Sequence, residues 1–510
     1  MKSHSLKYLR IVASLLMLVA LTAVFIDFTG NAAAWLAWTA IIQLFPALLA
    51  VNFVAIAILV VLTLVFGRLY CSVICPLGIT QDIFIWLRRV FAKRNKRRLG
   101  LFRFKPANKA VRYSFFGLFI VLLVAGLFAL LPSSIAGILD PYSAYGRIAS
   151  QGLAPAWRAT FGSFAQSQAE SGNFIVAGVP SALALFNLAV AIVAAATFIV
   201  VAVFAFRTGR GYCNTVCPVG TLLGFLSRFS LLRPVIDTEK CNRCGSCGRH
   251  CKAQCIDTKN HRIDYSRCIV CFDCINNCSQ GAISYRRAPR TSKETKTDAS
   301  VNAGRRSFLI GASALAASAA SAKVTDGGLS PVKKKQRRPD AAPAVPAGAA
   351  SLAHFRSHCT ACQLCISNCP EHILRPSTDF NNFMQPVMVF TEGYCSPDCT
   401  RCGEVCPTGA IKPIDVATKS SVKIGTAHVD PSICISAAYG KKCGNCARHC
   451  PVGAIQMITG PDGKLVPSVD PALCIGCGAC EFHCPSGSAG ILEADHAAIY
   501  VVGAETHQTI

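Results

Sequence analysis

The chain has 510 residues, of which 52% are hydrophobic and only 15% charged, and its formal net charge is +25. This balance excludes a disordered chain and fits an ordinary soluble enzyme poorly. The 29 cysteines are clustered in a long chain with long apolar segments, which favours metal ligation over the disulfide framework of a small secreted protein.

Four apolar stretches near the N-terminus are candidates for crossing a bilayer, which needs about 20 residues of helix. The second stretch is over-long and contains Pro46, which predicts a kinked or partly interfacial helix. Asp27 and Asn52 are polar residues within these stretches and therefore functional candidates, although Asp27 is expected at a solvated helix end. The stretches cover residues 11–28, 35–66, 113–131 and 182–206.

Loop charges predict the orientation of this helical unit, because basic loops remain in the cytoplasm. The first ten residues carry three basic side chains and no acidic one. The loop 68–112 has twelve Lys or Arg residues against a single acid, Asp82, whereas the loop 133–181 has two basic and two acidic residues. Both ends of the unit and the loop 68–112 are therefore predicted to face the cytoplasm.

A twin-arginine segment separates two cysteine-rich regions. Arg305 and Arg306 precede a weakly apolar Ala/Ser run that ends at Ala322 and is also a candidate weak fifth span. The segment is similar to an internal Tat export signal. A domain whose clusters are inserted in the cytoplasm must cross the membrane in the folded state, and the Tat system carries folded domains. A short Ala-rich helix between two cytoplasmic domains is the alternative. Residues 323–350 are basic, rich in Pro and Ala, and typical of a linker.

Six cysteine runs resemble the bacterial ferredoxin pattern C-x2-C-x2-C-x3-C, in which the fourth cysteine serves the neighbouring cluster. Three thiols on one loop hold three corners of a cubane, and paired runs form a two-cluster module. Crossing the fourth ligands predicts six [4Fe–4S] clusters, held by Cys241, Cys244, Cys247 and Cys278; Cys268, Cys271, Cys274 and Cys251; Cys359, Cys362, Cys365 and Cys406; Cys395, Cys399, Cys402 and Cys369; Cys434, Cys443, Cys446 and Cys484; and Cys474, Cys477, Cys480 and Cys450.

Structural zinc is the alternative for these runs, but zinc prefers two separated C-x2-C pairs, and most runs have a third cysteine at the same spacing. Six oxidised clusters would carry about −12 in total, since four thiolates surround a +2 core in each. That charge cancels about half of the basic excess, so nucleic-acid binding is not predicted. Cys255 follows Cys251 after three intervening residues and is an alternative fourth ligand.

A repeated motif at the ends of two apolar stretches supplies four more cysteines. The segment G-R-L-Y-C-S-V-I-C-P-L-G at 67–78 matches G-R-G-Y-C-N-T-V-C-P-V-G at 209–220. An x3 spacing places two sulfurs about one helical turn apart, and duplication would bring the four together around a pseudo-twofold axis. Iron or a seventh cluster, a redox disulfide, copper binding, and packing at a helix boundary all remain open for Cys71, Cys75, Cys213 and Cys217.

Other motifs are few. His250, His449 and His483 each precede a fourth-position cysteine, where they either cap the cluster surface or tune its potential. The sequence contains no dinucleotide-binding G-x-G-x-x-G, no C-x-x-C-H haem site, no H-E-x-x-H and no P-loop. The chain is therefore predicted to relay electrons without a hydride cofactor or a terminal catalytic centre.

These motifs resemble those of two families. Residues 1–290, with four spans, two C-x3-C-P motifs and two ferredoxin runs, resemble the NapH family of membrane quinol dehydrogenases, which is related to NosR-type and CcoG-type membrane ferredoxins. Residues 305–493 resemble the MauM/NapG family of exported ferredoxins, so the whole chain is similar to a fusion of the two.

The predicted fold is a four-helix membrane unit joined to α+β ferredoxin modules. The expected divisions are a membrane domain at 1–210, a cytoplasmic two-cluster domain at 211–290, the twin-arginine segment and linker at 291–350, a four-cluster domain at 351–495 and a tail at 496–510, with 351–510 periplasmic.

The resemblance implies a multi-pass protein of the bacterial inner membrane that oxidises quinol from the quinone pool, with the C-x3-C-P thiols near the point of entry. Electrons would pass to a periplasmic reductase or c-type cytochrome. The CcoG-like alternative is a copper-reducing assembly factor, and the NosR-like alternative is a regulatory or scaffold subunit.

Overall fold

The computed structural model describes residues 3–27, 30–94, 102–170, 186–287, 335–460, 462–487 and 495–510. The twin-arginine segment, with its candidate fifth span, lies outside the described residues. In the described part, a helical N-terminal region is followed by two cysteine-rich domains built of short helices and two-stranded sheets.

The described N-terminal region is entirely helical up to the first ferredoxin domain. Its helices are α1 (Ser3–Ile26), α2 (Asn31–Leu36), α3 (Trp38–Ile41), α4 (Leu44–Leu49), α5 (Phe53–Phe66), α6 (Tyr70–Val73), α7 (Pro76–Arg94), α8 (Lys109–Leu127), α9 (Ser134–Gly137), α10 (Pro141–Ile148), α11 (Ala154–Glu170), α12 (Leu188–Thr208), α13 (Gly211–Thr215) and α14 (Pro218–Leu226). A π-helical turn, Ala149–Leu153, joins α10 to α11.

Among the described residues, the helices α1, α8 and α12 are long and apolar enough to cross a membrane. Helix α5 is also apolar, but its 14 residues span only about 21 Å at 1.5 Å per residue, less than the hydrocarbon thickness of about 30 Å. Asp27 follows the last residue of α1, as expected for a helix end, and its carboxylate accepts a hydrogen bond from the Ala32 N–H at 2.7 Å. The fold thus provides three to four helices that could span a membrane.

The prediction of a single kinked or partly interfacial helix over residues 35–66 is wrong in treating the stretch as one helix. The stretch is divided among the end of α2, the short helices α3 and α4, and α5. Val51 has a left-handed backbone with φ 52°, and Asn52 then caps α5 by accepting a hydrogen bond from the Ala55 N–H at 3.1 Å. Hydropathy does not register this break, because residues 44–51 are all apolar.

The repeated motif folds twice into the same arrangement of three helices. In α5–α6–α7 and in α12–α13–α14, a long apolar helix is followed by a short helix and then by a helix that begins at a proline. The long helices end at Gly67 and Gly209, whose φ values of 76° and 66° suit a residue without a Cβ. The sequence repeat is therefore also a structural repeat.

The first ferredoxin domain follows α14 through a short 3-10 turn, Ser227–Phe229. The first strand of the domain pairs antiparallel with the last one. Between them in the sequence lies a small hairpin whose two strands have two residues each. The elements are β1 (Leu232–Ile236), α15 (Ser246–His250), β2 (Ile256–Asp257), β3 (Arg262–Ile263), α16 (Asp273–Asn276) and β4 (Ile283–Arg287).

The second ferredoxin domain has three antiparallel strand pairs, β5 with β6, β8 with β9, and β7 with β10. A 3-10 turn, Phe380–Asn382, precedes β6. The elements are α17 (Leu352–His358), α18 (Leu364–Ser367), β5 (Leu374–Pro376), β6 (Pro386–Met388), α19 (Arg401–Glu404), α20 (Val416–Ser421), β7 (Val422–Val429), α21 (Ile435–Tyr439), α22 (Asn445–Arg448), β8 (Ile455–Thr459), β9 (Leu465–Val469), α23 (Ala479–Phe482) and β10 (Ile499–Thr509).

Both ends of this second domain extend further than the sequence suggests. Residues 496–510, expected to be a tail, contain β10, the longest strand described, because its backbone pairs with β7. The last part of the expected linker is also packed: Ala344 and Val345 are buried, and the Ala344 carbonyl accepts a hydrogen bond from the Met388 N–H at 2.9 Å. Small apolar residues that read as a linker in the sequence thus close the domain core.

The two ferredoxin domains contact opposite ends of α1. At the N-terminal end, Lys7 Nζ lies 3.1 Å from Asp273 Oδ1 in the first domain. At the C-terminal end, Asn368 Nδ2 of the second domain donates a hydrogen bond to the Val24 carbonyl at 3.1 Å. Lys7 and Val24 are 17 residues apart on α1, which is about 26 Å at 1.5 Å per residue. The two contacts are therefore separated by most of the hydrocarbon thickness of about 30 Å.

Candidate iron–sulfur sites

Three of the six predicted ligand sets each surround one cavity. In each, the fourth cysteine of one run lies beside the first three cysteines of its partner run, as the crossed assignment requires. These sets are Cys241, Cys244, Cys247 and Cys278; Cys434, Cys443, Cys446 and Cys484; and Cys450, Cys474, Cys477 and Cys480. The arrangement fits cubane binding, while ligation by these thiols stays a prediction.

A fourth cavity is lined by five cysteines rather than four. Cys251 and Cys255 both line it together with the first three cysteines of the second run. Their sulfurs lie 3.5 Å apart, and the contact with Cys255 lowers the pKa of Cys251, whereas the same contact raises the pKa of Cys255. Both thiols are buried at the site, so the alternative between them as fourth ligand stays open.

The remaining two sets also form the predicted groups. Cys365 lies within electrostatic reach of Cys359, Cys362 and Cys406, and Cys402 within reach of Cys369, Cys395 and Cys399. Burial raises the pKa of Cys395, and the Lys419 ammonium, whose Nζ lies 3.2 Å from its sulfur, opposes that shift. A cation at this position favours a thiolate ligand.

The backbone around the second cysteine of four runs has an uncommon shape. The residues on both sides of this cysteine have left-handed φ values, including the non-glycine residues Val270 (54°) and Phe272 (62°) around Cys271 and Ala361 (54°) and Gln363 (70°) around Cys362. Such turns aim successive N–H groups into one concavity, a shape found at anion and iron–sulfur sites. The strain is typical of a functional loop.

The irregular fourth run, which begins at Cys395, differs in this respect. Cys399 follows an insertion of one residue, and Thr400 after it has a φ of −115°. The regular spacing and the left-handed turns therefore occur together.

The structure brings the four C-x3-C-P thiols together as a single group, which we name the four-thiol site. Each of these side chains is at most 4% exposed, and the four lie within electrostatic reach of one another. The residues are Cys71, Cys75, Cys213 and Cys217.

Polar groups from both repeats point at these sulfurs. Cys217 Sγ accepts a hydrogen bond from the Gly220 N–H at 3.3 Å, and Gln81 Nε2 donates to Cys213 Sγ at 3.1 Å. The sulfurs therefore sit in a shell of donors.

Two fully buried arginines flank this group with matching contacts. Arg68 Nη2 donates to Cys71 Sγ at 3.7 Å and to the Cys213 carbonyl at 3.2 Å. Arg210 Nη1 donates to Cys213 Sγ at 3.9 Å and to the Cys71 carbonyl at 2.8 Å. Each arginine thus binds a thiol of its own repeat and a carbonyl of the other, as a pseudo-twofold axis requires.

Two buried tyrosines complete the repeat on another side of the site. The Tyr70 hydroxyl donates to Gln43 Oε1 at 2.8 Å, and Tyr70 and Tyr212 both lie within electrostatic reach of the buried Asp140. The sequence prediction singled out only the cysteines of this repeat. The signal for the additional residues was present, because the arginine and tyrosine match in both copies.

The three histidines before fourth cysteines contact carbonyls and rings. The Nδ1 atoms of His250 and His449 lie 2.9 Å from the carbonyl oxygens four residues earlier. His449 and His483 stack on each other with their ring centroids 3.7 Å apart. These contacts fit residues that cover the cluster surface.

Among the described residues, no three His, Cys, Asp or Glu side chains converge closely enough to hold a single metal ion. A mononuclear tetrahedral site needs its sulfurs within about 2.3 Å of one atom. A cubane has an iron at separate corners, so its thiolate ligands stand further apart. The crossed pairing of the cysteine runs is the pattern that predicts clusters.

Comparison with protein families agrees with this chemistry. The 4Fe-4S binding domain family matches residues 47–95 and 189–236, and the 4Fe-4S dicluster domain family matches residues 358–410 and 441–488. The segments matched by the first family contain the whole four-thiol site. No solved structure matches the chain.

Several curated proteins are similar to parts of the chain. The ferredoxin-type protein NapH of Escherichia coli is 30% identical over 44% of this chain and 64% of its own length. The methylamine utilization ferredoxin-type protein MauM of Methylobacillus flagellatus is 30% identical over 26% of this chain and 59% of its own length. An uncharacterized protein of Methanocaldococcus jannaschii is 39% identical over 16% of this chain and 33% of its own length.

The chain thus spans less than two thirds of the length of each of these relatives. The relatives nevertheless confirm the resemblance predicted from the cysteine motifs. They support iron–sulfur electron transfer, and with the apolar helices they indicate membrane association.

Proposed function

We propose that this chain, whose homologues are NapH and MauM/MauN ferredoxin-type proteins, is an integral membrane protein that oxidises quinol and passes the electrons to a periplasmic reductase or c-type cytochrome. Quinol gives up two electrons and two protons to become quinone. Six bound [4Fe–4S] clusters supply storage for single electrons. The protein's own part is to hold these sites in a fixed order and to exclude water from them.

The observation that carries this proposal is the attachment of two ferredoxin domains to opposite ends of α1. The salt bridge of Lys7 with Asp273 joins the first domain to the basic end of α1, which loop charge predicts to be cytoplasmic. The hydrogen bond of Asn368 with the Val24 carbonyl fixes the second domain at the other end. This arrangement supports electron flow from one membrane face to the other and a periplasmic position for residues 351–510.

Reduction of the purified protein by quinol tests the proposal. Anaerobically prepared protein should contain at least about 24 iron atoms per chain, four for each predicted set. A menaquinol analogue should bleach the cluster absorbance and produce EPR signals of reduced clusters. Zinc in place of iron, or cystines without acid-labile sulfide, would contradict the cluster assignment. Fully loaded protein that quinol does not reduce would contradict quinol oxidation.

The side of the second domain needs a separate measurement. In sealed spheroplasts, an added protease should cleave within residues 351–510 and leave residues 211–287 intact. Protection of both domains until the membrane is lysed would show that both are cytoplasmic.

Copper reduction in the assembly of a respiratory metalloenzyme is the second candidate function, and the buried four-thiol site is the feature that favours it. That function predicts reduction of copper(II) by dithionite-reduced protein without any dependence on quinol. Quinol-dependent reduction of the clusters, with no bound copper, would reject it.

A further inference from the structure

The four-thiol site contacts the first ferredoxin domain through its two arginines. Arg68 Nη1 donates a hydrogen bond to the Ser266 carbonyl at 3.0 Å, and the Arg210 backbone N–H donates to the Lys252 carbonyl at 2.9 Å. Ser266 and Lys252 lie within two positions of predicted cluster cysteines. This face of the four-thiol site therefore meets a cluster loop of the first domain directly.

Helix α10 packs among the buried residues that flank the four-thiol site. Its residue Ala144 belongs to the same buried cluster as Tyr70, Cys75 and Cys217. All of its residues except Ile148 are buried, although its sequence, P-Y-S-A-Y-G-R-I, is too polar for a lipid-facing helix. The surroundings of α10 are therefore protein.

Other residues of α10 contact a cluster loop of the second domain. Gly146 packs so closely that a Cβ there would collide with the Cys362 carbonyl. The buried Arg147 guanidinium donates to the Thr360 and Ala361 carbonyls at 3.5 Å and to the Gly137 carbonyl at 2.9 Å. One short helix thus lies between the buried residues that flank the four-thiol site and the loop that carries Cys362.

The hydroxyl of Tyr142 on α10 lies beside a predicted cluster ligand. Tyr142 is 0% exposed and lies beside the Cys362 thiol, but its oxygen has no well-formed hydrogen bond. A buried hydroxyl without a well-placed acceptor is destabilising. A cluster-bound thiolate at Cys362 would accept its hydrogen bond.

We infer that the four-thiol site holds a seventh [4Fe–4S] cluster, and that α10 is the bridge by which electrons pass between it and the set of Cys359, Cys362, Cys365 and Cys406. The inference rests on the proposed electron-transfer function and names the segment that joins its two halves. Each transfer moves one electron, so the donor set is oxidised by one and the acceptor set reduced by one. No bond or proton is transferred.

The charge and the family match at this site both fit a cluster. Four thiolates and a +2 core leave about −2, which the buried Arg68 and Arg210 neutralise. The same family that names 4Fe-4S binding covers both halves of the site.

Iron analysis of a cysteine variant tests the seventh cluster. Anaerobically purified wild-type protein should contain about 28 iron atoms per chain, and Cys217→Ser should contain about 24, with the remaining EPR signals unchanged. Zinc or copper at the site, a Cys–Cys disulfide there, or an unchanged iron content in the variant would overturn the inference. If the variant fails to fold, the wild-type iron count and metal content decide alone.

A pair of tyrosine variants tests the bridge through reduction potentials. Tyr142→Phe removes the hydrogen-bond donor to one cluster ligand. It should shift the redox equilibrium of a single cluster about tenfold, which corresponds to a reduction potential about 59 mV lower for a one-electron couple. Tyr145→Phe is the matched control, since its hydroxyl bonds to Thr22 Oγ1 at 2.5 Å. No shift in Tyr142→Phe, or equal shifts in both variants, would overturn the bridge.

A glycine pair tests electron passage itself. Gly146→Ala should slow flash-initiated electron transfer between the four-thiol site and the second domain at least tenfold, while the iron content stays complete. Gly152→Ala is the control: the space around its Cβ is open, so its rate should match that of the wild type. Equal rates in both variants would overturn the bridge. Neither this assay nor the potentials use quinol, so a failure of quinol oxidation alone would be distinguished from a failure of this inference.

Discussion

Replacing Asp82 tests how the first ferredoxin domain is fixed to the helices. Its carboxylate lies 2.9 Å from Arg10 Nη1 on α1, 2.9 Å from Arg210 Nε beside the four-thiol site and 3.3 Å from Lys252 Nζ in the first domain. Burial raises the pKa of Asp82, but these three cations outweigh it and hold the pKa well below its usual range. One charge thus joins three parts of the molecule.

This carboxylate belongs to an ionic hub with an excess of positive charge. Asp82 and Asp273 face five cations, which leaves three positive charges in excess beside the predicted cluster sites. Lys252 contacts both carboxylates, at 3.3 and 3.6 Å. The cations of the hub are Lys7, Arg10, Arg89, Arg210 and Lys252.

We expect Asp82→Asn to lower the free energy of unfolding by about 3–5 kcal/mol, because it leaves buried cations without their partner. The Asp82 side chain is only 13% exposed. The matched control is Asp237→Asn, whose partner Lys240 is 67% exposed and 3.7 Å away, and which should cost about 0–1 kcal/mol. The assay is denaturant-induced loss of cluster absorbance in detergent, under argon.

The pH dependence of this effect follows from the lowered pKa. A depressed carboxyl pKa stabilises the fold above the unfolded-state value of about 3.9, and the stabilisation disappears only as the pH falls through the folded-state pKa. The difference between wild type and Asp82→Asn should therefore stay constant between about pH 6 and 8. Equal midpoints for the Asp82 and Asp237 variants would refute the reasoning.

Two further predictions concern the metal sites. Gly220→Ala would push a Cβ into the Cys213 carbonyl and the Arg68 guanidinium, so we expect this variant to lose the iron of the four-thiol site. Gly117→Ala is the control, because the space around its Cβ is open, and it should keep that iron. The number of iron atoms per chain is measured for both variants. Removal of iron by an anaerobic chelator takes about −2 per cluster from the surroundings of the ionic hub, which leaves its excess positive charge less balanced. Hydrogen exchange at the N-terminal half of α1 should therefore become faster. An unchanged exchange rate would contradict the charge argument.

Local patterns in the sequence determined most of the candidate chemistry. The spacing of cysteines on one loop sets which thiols can face one cubane, and this is why the first three members of each predicted set lie together. The C-x3-C-P repeat likewise predicted a duplicated unit, because a turn of helix and the following proline are properties of a few adjacent residues. Hydropathy located α1, α8 and α12, with boundaries that differ from the observed ones by two to eight residues.

Only the tertiary structure decided the features that depend on distant contacts. Hydropathy cannot tell a lipid-facing residue from one buried in protein, so α10 was read as part of a loop and the break at Val51 was missed. Residues 496–510 read as a tail because the pairing of β10 with β7 joins segments about 75 residues apart. The opposite attachment of the two ferredoxin domains to α1 is likewise a matter of side-chain fit across the fold, which no local spacing encodes.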